Sequence, residues 1–198
     1  MTTVYFVRHA QPEHTWSDDR TRPLTPEGQK DAESVLGFFT DKRVDAFYSS
    51  PYVRSVATIQ STAELFKTDI VTDERLRERE KGIDGNNFGM FRKRWADLDY
   101  HEDGGESIRM VQKRNAAALF DILKRNENRA IVIGTHGTAL ISILNYFDPA
   151  FGCEDFLRII DFMPYILELR FDGMRLAGKT EHFRIKKEFK GEQRADKR

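Results

Sequence analysis

Short apolar runs alternating with helical stretches constrain this chain more than any other feature. Val4-Tyr5-Phe6-Val7 and Ala130-Ile131-Val132-Ile133 are uninterrupted by polar residues, as strands buried on both faces of a parallel sheet would be. Ala46-Phe47-Tyr48 reads as a second strand and Ile70-Val71 as a short third. Between them lie two cap-plus-proline starts, Thr25-Pro26 and Ser50-Pro51. A proline is favoured at the first helical position because its missing N–H has no partner there anyway. Ala32, Val35, Leu36 and Phe39 then recur at helical spacing, as do Val53, Val56, Ala57, Ala63 and Leu65.

The spacing predicts a third helix over 106–124, with Ile108, Val111, Ala118, Leu119 and Ile122 on one side, and a further helix opening at His136-Gly137. Residues 165–171 and 174–185 read as strands joined by an Asp172-Gly173 turn, a hairpin signal. Residues 77–105 are glycine-rich, charged and weakly periodic, and read as a lid or substrate loop with a short helix near 91–98. From 186 to 198 the chain is charged and aperiodic, the pattern of a disordered tail. Alternating strands and helices predict an α/β fold: a three-layer sandwich with a mostly parallel central sheet covered by helices on both faces. We see one domain, residues 1–185.

Composition narrows the class. At 198 residues the chain is long enough to bury a sizeable core. Its 32 Lys plus Arg balance 32 Asp plus Glu, which gives no reason to expect nucleic acid or an anionic membrane as a partner. No apolar stretch approaches transmembrane length, and the start reaches Arg8 too soon for a signal peptide. Cys153 is the only cysteine and can form no intrachain disulfide; it reads as a plain buried thiol. The expectation is a soluble, cytoplasmic protein, with a homodimer kept open as an assembly.

In open α/β sheets ligands sit beyond the carboxyl ends of the strands. The first strand runs into Arg8-His9, the second leads through Ser49-Ser50-Pro51 to Arg54, and the strand at 130–133 ends in Gly134-Thr135-His136-Gly137. Arg54 sits in a first helical turn, where a cation opposes the helix dipole but an anion is welcome. A bound anion would reconcile the two, and a neighbouring carboxylate would do so equally well. Each residue alone has an ordinary explanation: a histidine where the chain surfaces, an arginine in a surface ion pair. Together, two arginines and two histidines at successive strand ends favour a phosphate pocket. The histidines lack metal-ligand spacing and have cationic neighbours, so neither a metal nor a cofactor is expected. The Gly-x-x-x-x-Gly-Lys-Ser/Thr nucleotide loop is absent.

These residues resemble the histidine phosphatase superfamily, the phosphoglycerate-mutase-like proteins. Val7-Arg8-His9-Ala10 resembles its Arg-His-Gly signature, with Ala10 in place of glycine. Leu24-Thr25-Pro26-Glu27-Gly28-Gln29, Ser49-Ser50-Pro51-Tyr52-Val53-Arg54-Ser55, Leu76-Arg77-Glu78, Gly105-Glu106-Ser107 and Thr135-His136-Gly137 are similar to five further segments, in family order. The resemblance implies a phosphohistidine mechanism. His9 would be the nucleophile, Arg8, Arg54 and His136 would surround the phosphoryl oxygens, and Glu78 would give and take the proton. Without the resemblance, Glu78 lies in what could be an ordinary solvated charge run. Gln11, Thr15 and Gly137 complete the expected phosphate-binding set. Thr15 stands where mutases of the family usually carry an asparagine, and it has a shorter reach.

The implied activity is metal-independent hydrolysis of a small phosphorylated metabolite. Phosphoglycerate mutase chemistry and a catalytically silent phosphate-binding domain are the alternatives. His14, Trp16 and residues 83–95 and 100–106 would line the mouth. There Phe88, Phe91 and Trp95 form either a wall for the leaving group or, more simply, the lid's own core. Arg92, Lys93 and Arg94 either meet a second anion or face water.

Overall fold

The computed structural model describes residues 1–187. A six-stranded sheet has the order β3-β2-β4-β1-β5-β6, with β1 Thr2–Arg8, β2 Ala46–Ser49, β3 Ile70–Thr72, β4 Ala130–Thr135, β5 Phe162–Asp172 and β6 Arg175–Lys186. The first four strands are mutually parallel, and β5 and β6 run antiparallel at one edge. The sheet is therefore mostly parallel, with helices on both faces.

Side-chain alternation divides the core in two. On one face Val7, Phe47, Val132 and Ile166 pack with Val35 and Phe39 of α1 (Pro26–Phe39) and Ile59 and Ala63 of α2 (Val53–Leu65). On the other, Val4, Phe6, Ile131, Ile133, Leu167 and Leu169 meet α4 (Ile108–Arg125) and α5 (Gly137–Phe147). Two shorter helices, α3 (Phe88–Ala96) and α6 (Cys153–Ile159), close that second layer. Among the described residues no helix is long and apolar enough to cross a membrane.

Several boundaries differ from the expectation. Ser50-Pro51 does not cap α2: Tyr52 is its N-cap residue, with no side-chain cap bond, and the Ser50 hydroxyl meets His136 and accepts the Tyr52 N–H instead. Helix α4 begins after Ser107, whose hydroxyl caps the Met110 N–H. Helix α6 spans only seven residues, and the apolar pattern does not signal it. Cys153, at its start, is half-buried rather than buried. The first hairpin strand extends beyond its expected limits, the second lies one residue later than expected, and Gly173, with φ of 60°, supplies the turn. Lys186 belongs to β6, and the Lys187 ammonium lies 2.8 Å from Glu27 and 2.9 Å from Asp31. The rest of the expected tail, 188–198, lies outside the described residues.

The 77–105 segment is pinned by buried charge. Glu102, with its side chain 2% exposed, pairs with Arg94 at 1%, and the Arg79 guanidinium lies 3.5 Å away. Phe91 and Trp95 join the main core beside Phe156 rather than forming a separate one. Gly82 and Gly105 lie so close together that a Cβ on Gly105 would come 2.9 Å from the Gly82 nitrogen.

Candidate active site

Register alone brings the two histidine motifs together. β1 and β4 are adjacent and parallel, with Arg8 opposite Thr135, so the next residue on each strand must be a neighbour. The His9 N–H donates to the Thr135 carbonyl at 3.1 Å, and the two imidazole centroids are 5.2 Å apart. β2 lies on the other side of β4, with Ser49 opposite Gly134. The Ser50 hydroxyl consequently reaches the His136 Nε2 at 2.7 Å. This packing leaves no room for a side chain at Gly134, where a Cβ would sit 2.6 Å from the Ser49 hydroxyl.

A cavity of about 420 Å³ opens above these strand ends. Arg8, His9, Arg54, Glu78 and Gly137 line it. Arg8 is buried and donates to the carbonyls of Ile159, Ile160 and Phe162, which excludes a surface ion pair. Burial pushes its guanidinium down to about 10, so it remains charged at neutral pH. Arg54 donates to the Asp19 carbonyl at 2.5 Å and lies 3.3 Å from the Asp19 carboxylate. The helix-turn conflict is thus met by a carboxylate, although Arg54 also faces the cavity.

His9 is 6% exposed. Burial first, then Arg54 and Arg8, hold its pKa well below the usual imidazole value. The ring is neutral, and its Nδ1 lies 2.8 Å from the Ala10 carbonyl. A carbonyl can only accept, so Nδ1 carries the proton and the lone pair resides on Nε2. The loop behind it is tied to both neighbouring helices. The Ala10 N–H donates to Thr58 of α2, and the Thr25 N–H donates to the Gln11 carbonyl.

Glu78 follows a 3-10 turn, Glu74–Leu76, that ends the β3 crossover. Its carboxylate accepts the N–H groups of Arg79 at 2.8 Å, Thr138 at 3.1 Å and Ala139 at 3.2 Å. It is therefore docked on the N-terminus of α5, where backbone donors are unpaired and a negative charge is favoured. Glu78 is no member of a solvated charge run.

Three expected residues are not on the cavity wall. Thr15 is exposed and its hydroxyl donates to Glu13 at 2.9 Å, away from the cavity wall. Gln11 accepts from the Thr25 hydroxyl at 3.1 Å and serves the docking of α1. His136 is fully buried one layer behind the wall; its Nδ1 has no hydrogen-bond partner among the described residues. Burial also lowers its pKa well below the usual value. Of the expected mouth, His14, Asn86 and Phe91 line the cavity, whereas Trp16 and Ile83 point outward. Arg94 is buried against Glu102, Lys93 lies over the Tyr100 ring at 4.0 Å, and Arg92 pairs with Glu154.

Sequence reading missed Arg22, Arg79 and Lys81 on the wall, with Thr138, Phe156, Ile160 and Met163. Arg79 and Lys81 lie in a charge run indistinguishable from a surface one, and the apolar three come from a segment without a strong period.

A family model for the histidine phosphatase superfamily, branch 1, matches residues 4–161. The chain belongs to that superfamily. It is an enzyme of the phosphomonoesterase type found there. Among its relatives, a putative phosphoserine phosphatase 2 of Hydrogenobacter thermophilus is 30% identical over 164 residues, 73% of this chain and 77% of that protein. A probable phosphoglycerate mutase GpmB of an Enterobacter species is 29% identical over 163 residues, 71% and 72% of the two chains. Two solved structures show the same fold. Bacillus stearothermophilus YhfR has a TM-score of 0.73 at 23% identity, covering 89% of this chain and 95% of that one. Entamoeba histolytica phosphoserine phosphatase, solved with phosphoserine, has a TM-score of 0.74 at 22% identity, covering 93% and 96%.

Proposed function

We propose that this histidine phosphatase hydrolyses a small phosphomonoester through a phosphohistidine on His9, without a metal. The observation that carries the reading is the placement of the His9 ring, its Nδ1 held 2.8 Å from the Ala10 carbonyl so that Nε2 is left to attack, in a cavity walled by Arg8, Arg54 and Glu78.

Each residue has one task. The Nε2 pair attacks phosphorus as the bond to the leaving oxygen breaks, forming an N–P bond. Arg8 and Arg54 stabilise the charge on the phosphoryl oxygens. His136, whose Nδ1 has no hydrogen-bond partner among the described residues, is a further polar group beside the His9 ring. Glu78 enters the first step in its acid form and gives that proton to the leaving oxygen; the carboxylate so formed then takes a proton from water as that water attacks phosphorus, and the N–P electron pair returns to Nε2. The net result is an alcohol and inorganic phosphate. The cavity is large enough for a metabolite-sized leaving group, and Phe91, Phe156, Ile160 and Met163 offer it an apolar side.

Relatives named phosphoserine phosphatase and phosphoglycerate mutase favour testing both products. p-Nitrophenyl phosphate and phosphoserine should release inorganic phosphate in the presence of EDTA, and His9→Ala should release none. With 3-phosphoglycerate, free phosphate supports hydrolysis, whereas 2-phosphoglycerate would replace this reading with mutase chemistry.

A further inference from the structure

Arg114 and Glu106 do not line the cavity, yet they hold the backbone around Glu78 from both sides. Arg114, on α4, donates through Nη1 to the carbonyls of Arg75 at 2.9 Å and Arg77 at 2.6 Å. Its Nη2 donates to the Glu78 carbonyl at 2.9 Å. The same guanidinium forms a two-point pair with Glu106, Nε to Oε1 at 2.9 Å and Nη2 to Oε2 at 2.8 Å. Glu106 in turn accepts from the Arg77 guanidinium at 3.0 Å and from the Glu80 backbone N–H at 2.9 Å. Three carbonyls before and at Glu78, and one N–H just after it, thus converge on one ion pair. Both side chains are mostly buried, at 15% and 12% exposure.

A guanidinium is suited to this task because its donors diverge in one plane and can serve several acceptors at once. Resting on the proposed role of Glu78, we propose that the Arg114–Glu106 pair is the positioning element for proton transfer. It sets where the Glu78 carboxyl stands relative to the oxygen departing from phosphorus, and it does so without touching substrate. The α5 N–H groups orient the carboxylate, while the Arg114–Glu106 pair places the backbone that carries it. The Gly105-Glu106-Ser107 segment, otherwise without a chemical task, acquires one here.

The test uses the dependence on leaving group. A nitrophenolate departs readily without a proton, whereas an alkoxide does not. kcat/KM covers the steps through departure of the leaving group, so misplacing the acid should lower it selectively for an alkyl phosphate. We expect Arg114→Gln, in the full chain, to lower kcat/KM for glycerol phosphate about ten- to hundredfold, as small misplacements of catalytic groups do. For p-nitrophenyl phosphate the loss should stay within about threefold, in line with a reaction that needs little general-acid help. Inhibition by inorganic phosphate should be unchanged. Arg114→Gln combined with Glu78→Gln should be no slower than Glu78→Gln alone, since both changes act through one carboxyl.

Glu106→Gln, which keeps the shape and half the acceptors, should show the same selectivity in a milder form and serves if Arg114→Gln does not fold. Equal losses on both esters, weakened phosphate inhibition or additive losses in the double variant would overturn the positioning role while leaving the His9 reading intact. A wild type that hydrolyses neither ester would instead overturn the reading of the site itself.

Discussion

His9 and His136 are imidazoles that the fold keeps neutral, both pushed well below the ordinary value by burial and by Arg54. This fixes a sign for stability. Below the unfolded value of about 6.5 the unfolded chain takes up protons that the native rings refuse. Their contribution to stability is therefore present in full above that pH and is lost progressively as pH falls below it. Thermal melts from pH 8 down to 5 should show falling stability on the acid side. His9→Ala should flatten the slope by up to about 1.4 kcal/mol per pH unit, the value for one proton; an unchanged slope would mean that His9 charges freely in the native state. Glu78→Gln should lower turnover of an alkyl phosphate by about a hundredfold or more, the usual yield of a general acid–base group, and leave phosphate inhibition largely intact. At this scale the sequence was legible where chemistry and strand ends coincide, as at Arg8, His9 and Arg54. Thr15 and Gln11 stand off the wall because their polar atoms were already engaged locally, by Glu13 and Thr25, and spacing along a chain carries no record of such pairings.

The elements around the site work by close approach. α1 begins with Thr25 capping the Gly28 N–H at 2.9 Å, directly against the loop that follows His9. A Cβ at position 28 would come 2.3 Å from the Gln11 carbonyl oxygen, a backbone atom that cannot step aside. Gly28→Ala should cost about 1–3 kcal/mol, as overpacking does, and should lower activity because the displaced loop carries His9. A denaturation midpoint and turnover rate equal to wild type would contradict this contact. Buried runs such as Ile131-Val132-Ile133 announced their strands because nothing but a sheet core accepts them. β3 is only three residues long and largely exposed, so it sits at the limit of what an apolar pattern can signal. α6 lies below it, with a seven-residue stretch too short for a period.

Across the whole molecule, charge in the interior decides how residues 77–107 are held. A sequence cannot distinguish an arginine in water from one buried against Glu102, and for that reason the segment resembled a solvated loop. In the structure it is fastened, with Arg79 and Arg94 sharing one buried carboxylate and Phe91 anchored on Phe156. Removing one partner of such a set leaves the others charged and dry. Glu102→Ala should therefore cost about 3–5 kcal/mol, the range for breaking a buried ion pair, and chemical denaturation would read it. A loss below about 1 kcal/mol, the size of a surface pair, would show that the cluster is solvated.

The proposed mechanism has a covalent step: two parallel strands in register place the His9 imidazole beside Arg8 and Arg54, where it would receive a phosphoryl group. Rapid-quench mass spectrometry of the protein turning over p-nitrophenyl phosphate, worked up under alkaline conditions that preserve N–P bonds, tests it most directly. A single phosphate on the peptide containing His9, absent in His9→Ala and appearing faster than steady-state turnover, is the expected result. Full hydrolysis with no phosphorylated His9 peptide, or undiminished hydrolysis by His9→Ala, would contradict it.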